Sequence, residues 1–433
     1  MKLPLLALPV ALITASCVQA QRLDYEEEPH NYWSAEVSDS CTVLDKALST
    51  GTLKLTLSDG KTMIREVLDA LKVPAATQVL VFSKTSMQRD RISPAVPRAL
   101  YFNDECYVGW VPGGLVEFAG MDPKLGPVFY SLNPDRPDRA VPRLDRSDEC
   151  INCHAGSMTN RVPGLMLRSV FPDSDGSLLL QMGTSLIDHT SPIPERWGGW
   201  YVTGSHGTME HMGNVTATRA KDGSVTLDKK KGANLKSLAE LFDTSRYLRG
   251  DSDIVALMTM EHQVAMHSRI VEAGYDMRTA ISRQASLRKE LDEPPTEELV
   301  GSTMVVAESH CEKVLKCLLF CGEAAMPDGG VDGGPAFQEA FRANRRDSRA
   351  GKSLKDFQLL NRLFKYRCSY LIYSRSWDAL PPKFLEVLYR RLFTILTAPE
   401  PVKGYEHLSA SERREILEIL RDTKEGLPGY WKR

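Results

Sequence analysis

The chain has 433 residues, 42% hydrophobic and 25% charged, enough apolar material for a large core without help from metals or disulfides. Its formal net charge of −2 provides no field for a polyanion, so nucleic acid is excluded as an expected partner. Residues 1–20 read as a signal peptide: Lys2 is a positive start, 3–13 is a compact apolar run, and Val18-Gln19-Ala20 offers small residues for cleavage after Ala20. The expected location is therefore periplasmic or secreted. The alternative is a lipoprotein on the outer face of a bacterial membrane, lipidated at Cys17, where 14–17 loosely resembles a lipoprotein box.

Residues 21–135 are expected to form a mixed α/β region. Its first part, to about residue 60, reads as loosely structured. Ile64, Val67, Leu68 and Leu71 then place an amphipathic helix over 61–72. Strands are expected at 79–82, 99–102, 107–111 and 128–130, punctuated by Pro112-Gly113-Gly114 and Asp122-Pro123. A Pro/Arg-rich connector leads into a second region, 136–235, with a short helix near Ser147 or Asp148, a stop at Gly156, strands at 165–171, 177–182 and 200–203, and a hairpin turn at 221–224. Residues 236–433 are expected to be helical, over about 251–290 with a break at Gly274, then 305–321, 357–364, 382–397 and 411–423. Ser409 and Glu412 form a capping box there, and 329–335 is a Gly-rich loop. The fold class is α+β: a β-rich front half and a mostly α-helical back half.

The second region contains Cys150-Ile151-Asn152-Cys153-His154, the attachment signature of c-type haem. Two thiols three positions apart on a helical turn reach both vinyl groups of one porphyrin, and the adjacent imidazole meets the iron. One covalent haem c is expected, with Cys150 and Cys153 as thioether donors and His154 as an axial iron ligand. Zinc would need a second paired motif, which Cys311, Cys317 and Cys321 do not provide. A thioredoxin-like pair would need a preceding buried strand, and a plain disulfide is the remaining alternative. With Cys17 and the motif set aside, Cys41, Cys106, Cys311, Cys317, Cys321 and Cys368 form an even set that permits disulfides, although buried thiols fit equally well.

The second axial ligand is open among His211, Met212 and His206, with Met158, Met166, Met182 and His189 as further downstream residues. The run from Arg196 to Gly207 alternates aromatics and glycines. It could wall a porphyrin or simply be a strand and turn with core aromatics. Val255, Met258, His262, Met266 and Ile270 share one helical face, so His262 should point inward and His267 should lie off that face. His262 could then be a core residue, an iron ligand or a proton donor.

The runs 98–104, 150–154, 196–207 with 211–214, 261–263 and 368–374 resemble a group of long exported bacterial proteins described as cytochrome c domain-containing. The likeness covers most of the chain after about residue 80. It implies haem and export but no particular substrate. Electron transfer to a redox partner protein is the leading expectation. The alternative is a peroxidase- or oxidase-like haem enzyme acting on a small molecule, with His206, His211 or Arg196 on the distal side. An exported, disulfide-bonded binding protein is the non-haem reading.

Overall fold

A computed structural model describes residues 24–136, 141–326 and 328–432. The expected signal segment and Cys17 lie outside them. The fold is α+β. Seven antiparallel strands form one sheet: β1 (Val79–Val81), β2 (Arg98–Phe102), β3 (Cys106–Trp110), β4 (Val116–Asp122), β5 (Gly126–Leu132), β6 (Asp145–Arg146) and β9 (Trp200–Tyr201). Their order is β6-β5-β4-β3-β2-β1-β9, a meander whose first strand also accepts β9 from much later in the chain. The sheet therefore runs across the boundary expected near residue 135. Two small hairpins stand apart from it: β7 (Arg168–Val170) with β8 (Thr184–Leu186), and β10 (Thr218–Arg219) with β11 (Val225–Thr226), the latter around the expected turn.

The lead-in is more ordered than its composition implies. Helix α1 (Ser40–Ser49) is capped by Asp39, which accepts from Thr42 N–H at 2.8 Å and from the Tyr130 hydroxyl at 2.8 Å. The cap thereby ties α1 to β5. Helix α2 (Gly60–Ala70) buries Ile64, Val67 and Leu68 of the expected stripe together with Met63, and Leu71, also buried, caps its C-terminal end. Strand β4 was hidden by its glycine and charged residues, yet it is buried throughout.

Helix α4 (Ile254–Glu290) is the axis of the back half and runs 37 residues without a break at Gly274. Asp253 caps it through the N–H groups of Val255 and Ala256. From Ile254 to Gln263 every residue is buried, so His267 is buried as well as His262. The one-face periodicity fails here because neighbouring elements surround the helix. Gly126 (φ 73°) lets β5 approach α4, since a Cβ there would sit 2.7 Å from Val271 Cγ1. Helices α5 (Ser302–Leu318), α6 (Pro335–Arg342) and α7 (Arg375–Asp378) pack on α4, while α8 (Pro382–Thr397) packs on α5 and α9 (Ala410–Thr423), capped by Ser409 as expected, packs on α8. Two expectations fail locally. Residues 357–364 close a loop through a Phe357–Phe364 bridge in place of a helix, because their phenylalanines stack on each other and on Phe341. Residues 177–182 end in a 3-10 turn and not a strand. No helix among the described residues is long and apolar enough to cross a membrane.

Candidate haem-attachment site

The helical turn α3 (Ile151–His154) carries the cysteine motif, with His154 N–H bonded to the Cys150 carbonyl at 2.9 Å. Cys153 is exposed and Cys150 half-buried, and both are free thiols. Burial pushes the Cys150 thiol up, while Ser147 beside it, at 3.4 Å, opposes that shift. After α3 the chain turns sharply through Asn160 and Arg161, both in the left-handed region (φ 55° and 62°). This reversal brings Gly164 back against the histidine. Gly164 N–H donates to the His154 carbonyl at 2.7 Å, and the Gly164 carbonyl lies 2.9 Å from His154 Nδ1.

That last contact fixes the tautomer. A carbonyl only accepts, so Nδ1 carries the proton and the lone pair stands on Nε2. Burial lowers the His154 pKa, so the ring is held neutral. A neutral imidazole with Nδ1–H bound to a backbone carbonyl is the form that ligates a metal through Nε2. Phe129 backs the ring at 4.7 Å. Arg98 and Arg168 are the cations whose fields reach it, opposed by Glu117. Arg98 pairs with Glu117, and its Nε is buried without a hydrogen-bond partner. The residues present therefore fit a haem: two thiols on one turn, an oriented neutral imidazole, and cations suited to carboxylate groups.

Beside this turn the chain runs from Gly164 into the β7–β8 hairpin. Leu180, Met182 and Leu186 of that hairpin are 80%, 38% and 48% exposed, and Met158 after the motif is 38% exposed. These apolar side chains project from a segment that directly follows the attachment turn.

The candidates for the second axial position gather elsewhere. His206 and His211 pack edge to face at 4.7 Å, with Trp197 against His211. Their lone pairs are engaged: His206 Nε2 accepts from Asn234 N–H at 2.9 Å, and His211 Nδ1 from Gly213 N–H at 3.0 Å. Met212 Sδ accepts from Ser169 Oγ at 3.7 Å. None of these residues shares a ring contact or hydrogen bond with His154 among the described residues.

The glycine- and aromatic-rich run is core. Trp197, Trp200 and Tyr201 are buried, and Gly198 is required because a Cβ would lie 2.1 Å from the Val170 carbonyl. Arg196 donates to Glu261 at 2.8 Å and to the carbonyls of Ser191 and His189, and Trp197 Nε1 donates to the other Glu261 oxygen at 2.6 Å. With its guanidinium so engaged, Arg196 acts as a buried strut. His262 points inward as expected, bonded through Nε2 to Ser369 Oγ at 2.8 Å. A cavity of about 650 Å³ lies between α6 and the 370–375 segment and is lined by no residue of the candidate attachment turn.

No family model, curated protein or solved structure matches this chain.

Proposed function

We propose that the chain is an exported c-type cytochrome that binds one covalent haem through Cys150 and Cys153, ligates its iron through His154 Nε2, and passes single electrons to a partner. The observation that carries the reading is the Gly164 carbonyl on His154 Nδ1. A histidine that only follows two cysteines by chance has no need of a backbone reversal that fixes its tautomer. Bound haem would supply one-electron redox chemistry. The chain's own residues would tether it, orient its axial imidazole and exclude water from one face.

Phe129 and the reversal through Asn160 and Arg161 hold the imidazole in place. Arg168 offers charge for the propionates, whereas Arg98 already pairs with Glu117. Leu180, Met182 and Leu186 offer apolar surface of the kind that a porphyrin face or edge covers. Any further iron ligand drawn from His206, His211 and Met212 would have to give up its present hydrogen bond. The electron-transfer reading is favoured over the enzyme reading because Arg196, a candidate distal cation, already serves Glu261.

The test is the double variant Cys150→Ala/Cys153→Ala, produced in a host competent for haem c maturation. Covalent haem should be absent from it and present in the parent. Retention of covalent haem by the variant would refute the assignment.

A further inference from the structure

We propose a second metal centre, independent of the haem reading, in which His189, His262 and Cys317 hold a zinc- or copper-class ion. One ligand atom from each residue lies within 4.8 Å of the others, and all three residues are buried. His189 Nδ1 and His262 Nδ1 are 3.4 Å apart. Two nitrogens bound to one tetrahedral ion at ordinary zinc–nitrogen lengths are themselves about 3.4 Å apart. Two imidazoles and a thiolate are a borderline-soft donor set, suited to zinc and copper and poorly suited to magnesium or calcium.

The surroundings agree. His262 Nε2 lies 2.8 Å from Ser369 Oγ; in the tautomer whose Nε2–H donates to that hydroxyl, the Nδ1 lone pair is left for the ion. The His189 ring packs on His262 and Phe320, and its Nε2 is buried without a hydrogen-bond partner among the described residues. Burial keeps both rings neutral, the form that binds metal, with His189 lowered to about 4. Burial also pushes the Cys317 thiol up to about 12, so the ion would displace its proton on binding. The Asp188 carboxylate acts on both His189 and Cys317. With one thiolate it balances a divalent charge. Phe320 stacks on His262 at 3.9 Å and 19° while holding a left-handed backbone (φ 54°) at the end of α5, a conformation that favours glycine.

The other cluster of possible ligands, Glu272, Asp276 and His310, differs in kind. Arg269 and Lys313 already neutralise Glu272, and Asp276 is exposed.

The test uses the full chain, freed of zinc and copper by a chelator and titrated with Co²⁺. The titration is run in the Cys150→Ala/Cys153→Ala background, so that no thiol of the attachment turn contributes to the band and the result is independent of haem. The proposal expects one equivalent of Co²⁺ to give a thiolate-to-cobalt charge-transfer band. That band should disappear in Cys317→Ser and in His189→Gln, with far-UV circular dichroism unchanged. A parent chain that gives no band, or a folded Cys317→Ser that keeps it, overturns the proposal. Should Cys317→Ser fail to fold, His189→Gln decides alone: loss of the band supports the site and its retention refutes it.

Discussion

At the scale of single residues, the informative groups are buried polar atoms whose partners define what they can do. His154 has its Nδ1 proton committed to Gly164 and one lone pair left. Trp197 shows the same discipline in a structural role. Its backbone sits at φ 66°, a costly value for a large side chain, and its indole N–H meets Glu261 Oε1 at 2.6 Å. Trp197→Phe would leave that carboxylate oxygen buried without its donor. The expected loss is about 1–3 kcal/mol of stability, read from urea unfolding midpoints. A loss below about 0.5 kcal/mol would mean that Glu261 finds another donor or water. Glu261 itself is raised to about 7 by burial, against the pull of Arg196 and Trp197, which underlines how closed this corner is.

At the scale of elements, close approaches determine how the sheet meets the helices. Cys41 on α1 and Cys106 on β3 face each other with sulfurs 3.9 Å apart, both fully buried. If the chain is exported as proposed, this is the pair an oxidising compartment would join. Alkylation of the unfolded, unreduced protein should then leave Cys41 and Cys106 unmodified in peptide mass spectra. Full labelling of both would show that they remain thiols. Gly126→Ala tests the approach of β5 to α4: its positive φ and the Val271 methyl 2.7 Å from the new Cβ should lower the thermal midpoint by several degrees.

Much of this scale was legible in the sequence. The stripe of α2, the span of α8 and the cap of α9 all follow from local periodicity and capping chemistry. What was illegible depended on tertiary surroundings. Strand β4 has no alternation because both its faces are covered. Helix α4 has no single apolar face because it is enclosed, which is why His267 was misplaced. At the site, Cys150, Cys153 and His154 were readable as a motif. Gly164, Phe129 and the meeting of His189 with Cys317 were not, since distant segments bring these groups together.

At the scale of the whole molecule, buried neutral histidines should make stability depend on acidity. His30, stacked on Tyr275, is lowered to about 4 by burial and the nearby Arg278, and His267, bonded to Tyr107, to about 3 by burial. Below pH 6.5 the unfolded chain takes up protons at these positions while the folded chain does not. Stability from these two groups is thus complete above about pH 6.5 and falls as the pH drops towards 4. The slope is up to about 1.4 kcal/mol per pH unit for each group. Urea midpoints measured from pH 7 to pH 4 should fall, and His30→Phe should flatten the dependence; an unchanged slope in that variant would remove His30 from the account. The haem proposal rests on the attachment turn, where a sheet, a reversal and a short helix converge on one imidazole. Its most direct test is the intact mass of the denatured, acid–acetone-extracted protein, produced where haem c can be attached. The expected mass is that of the mature polypeptide plus one haem that organic extraction does not remove. The bare polypeptide mass would contradict it.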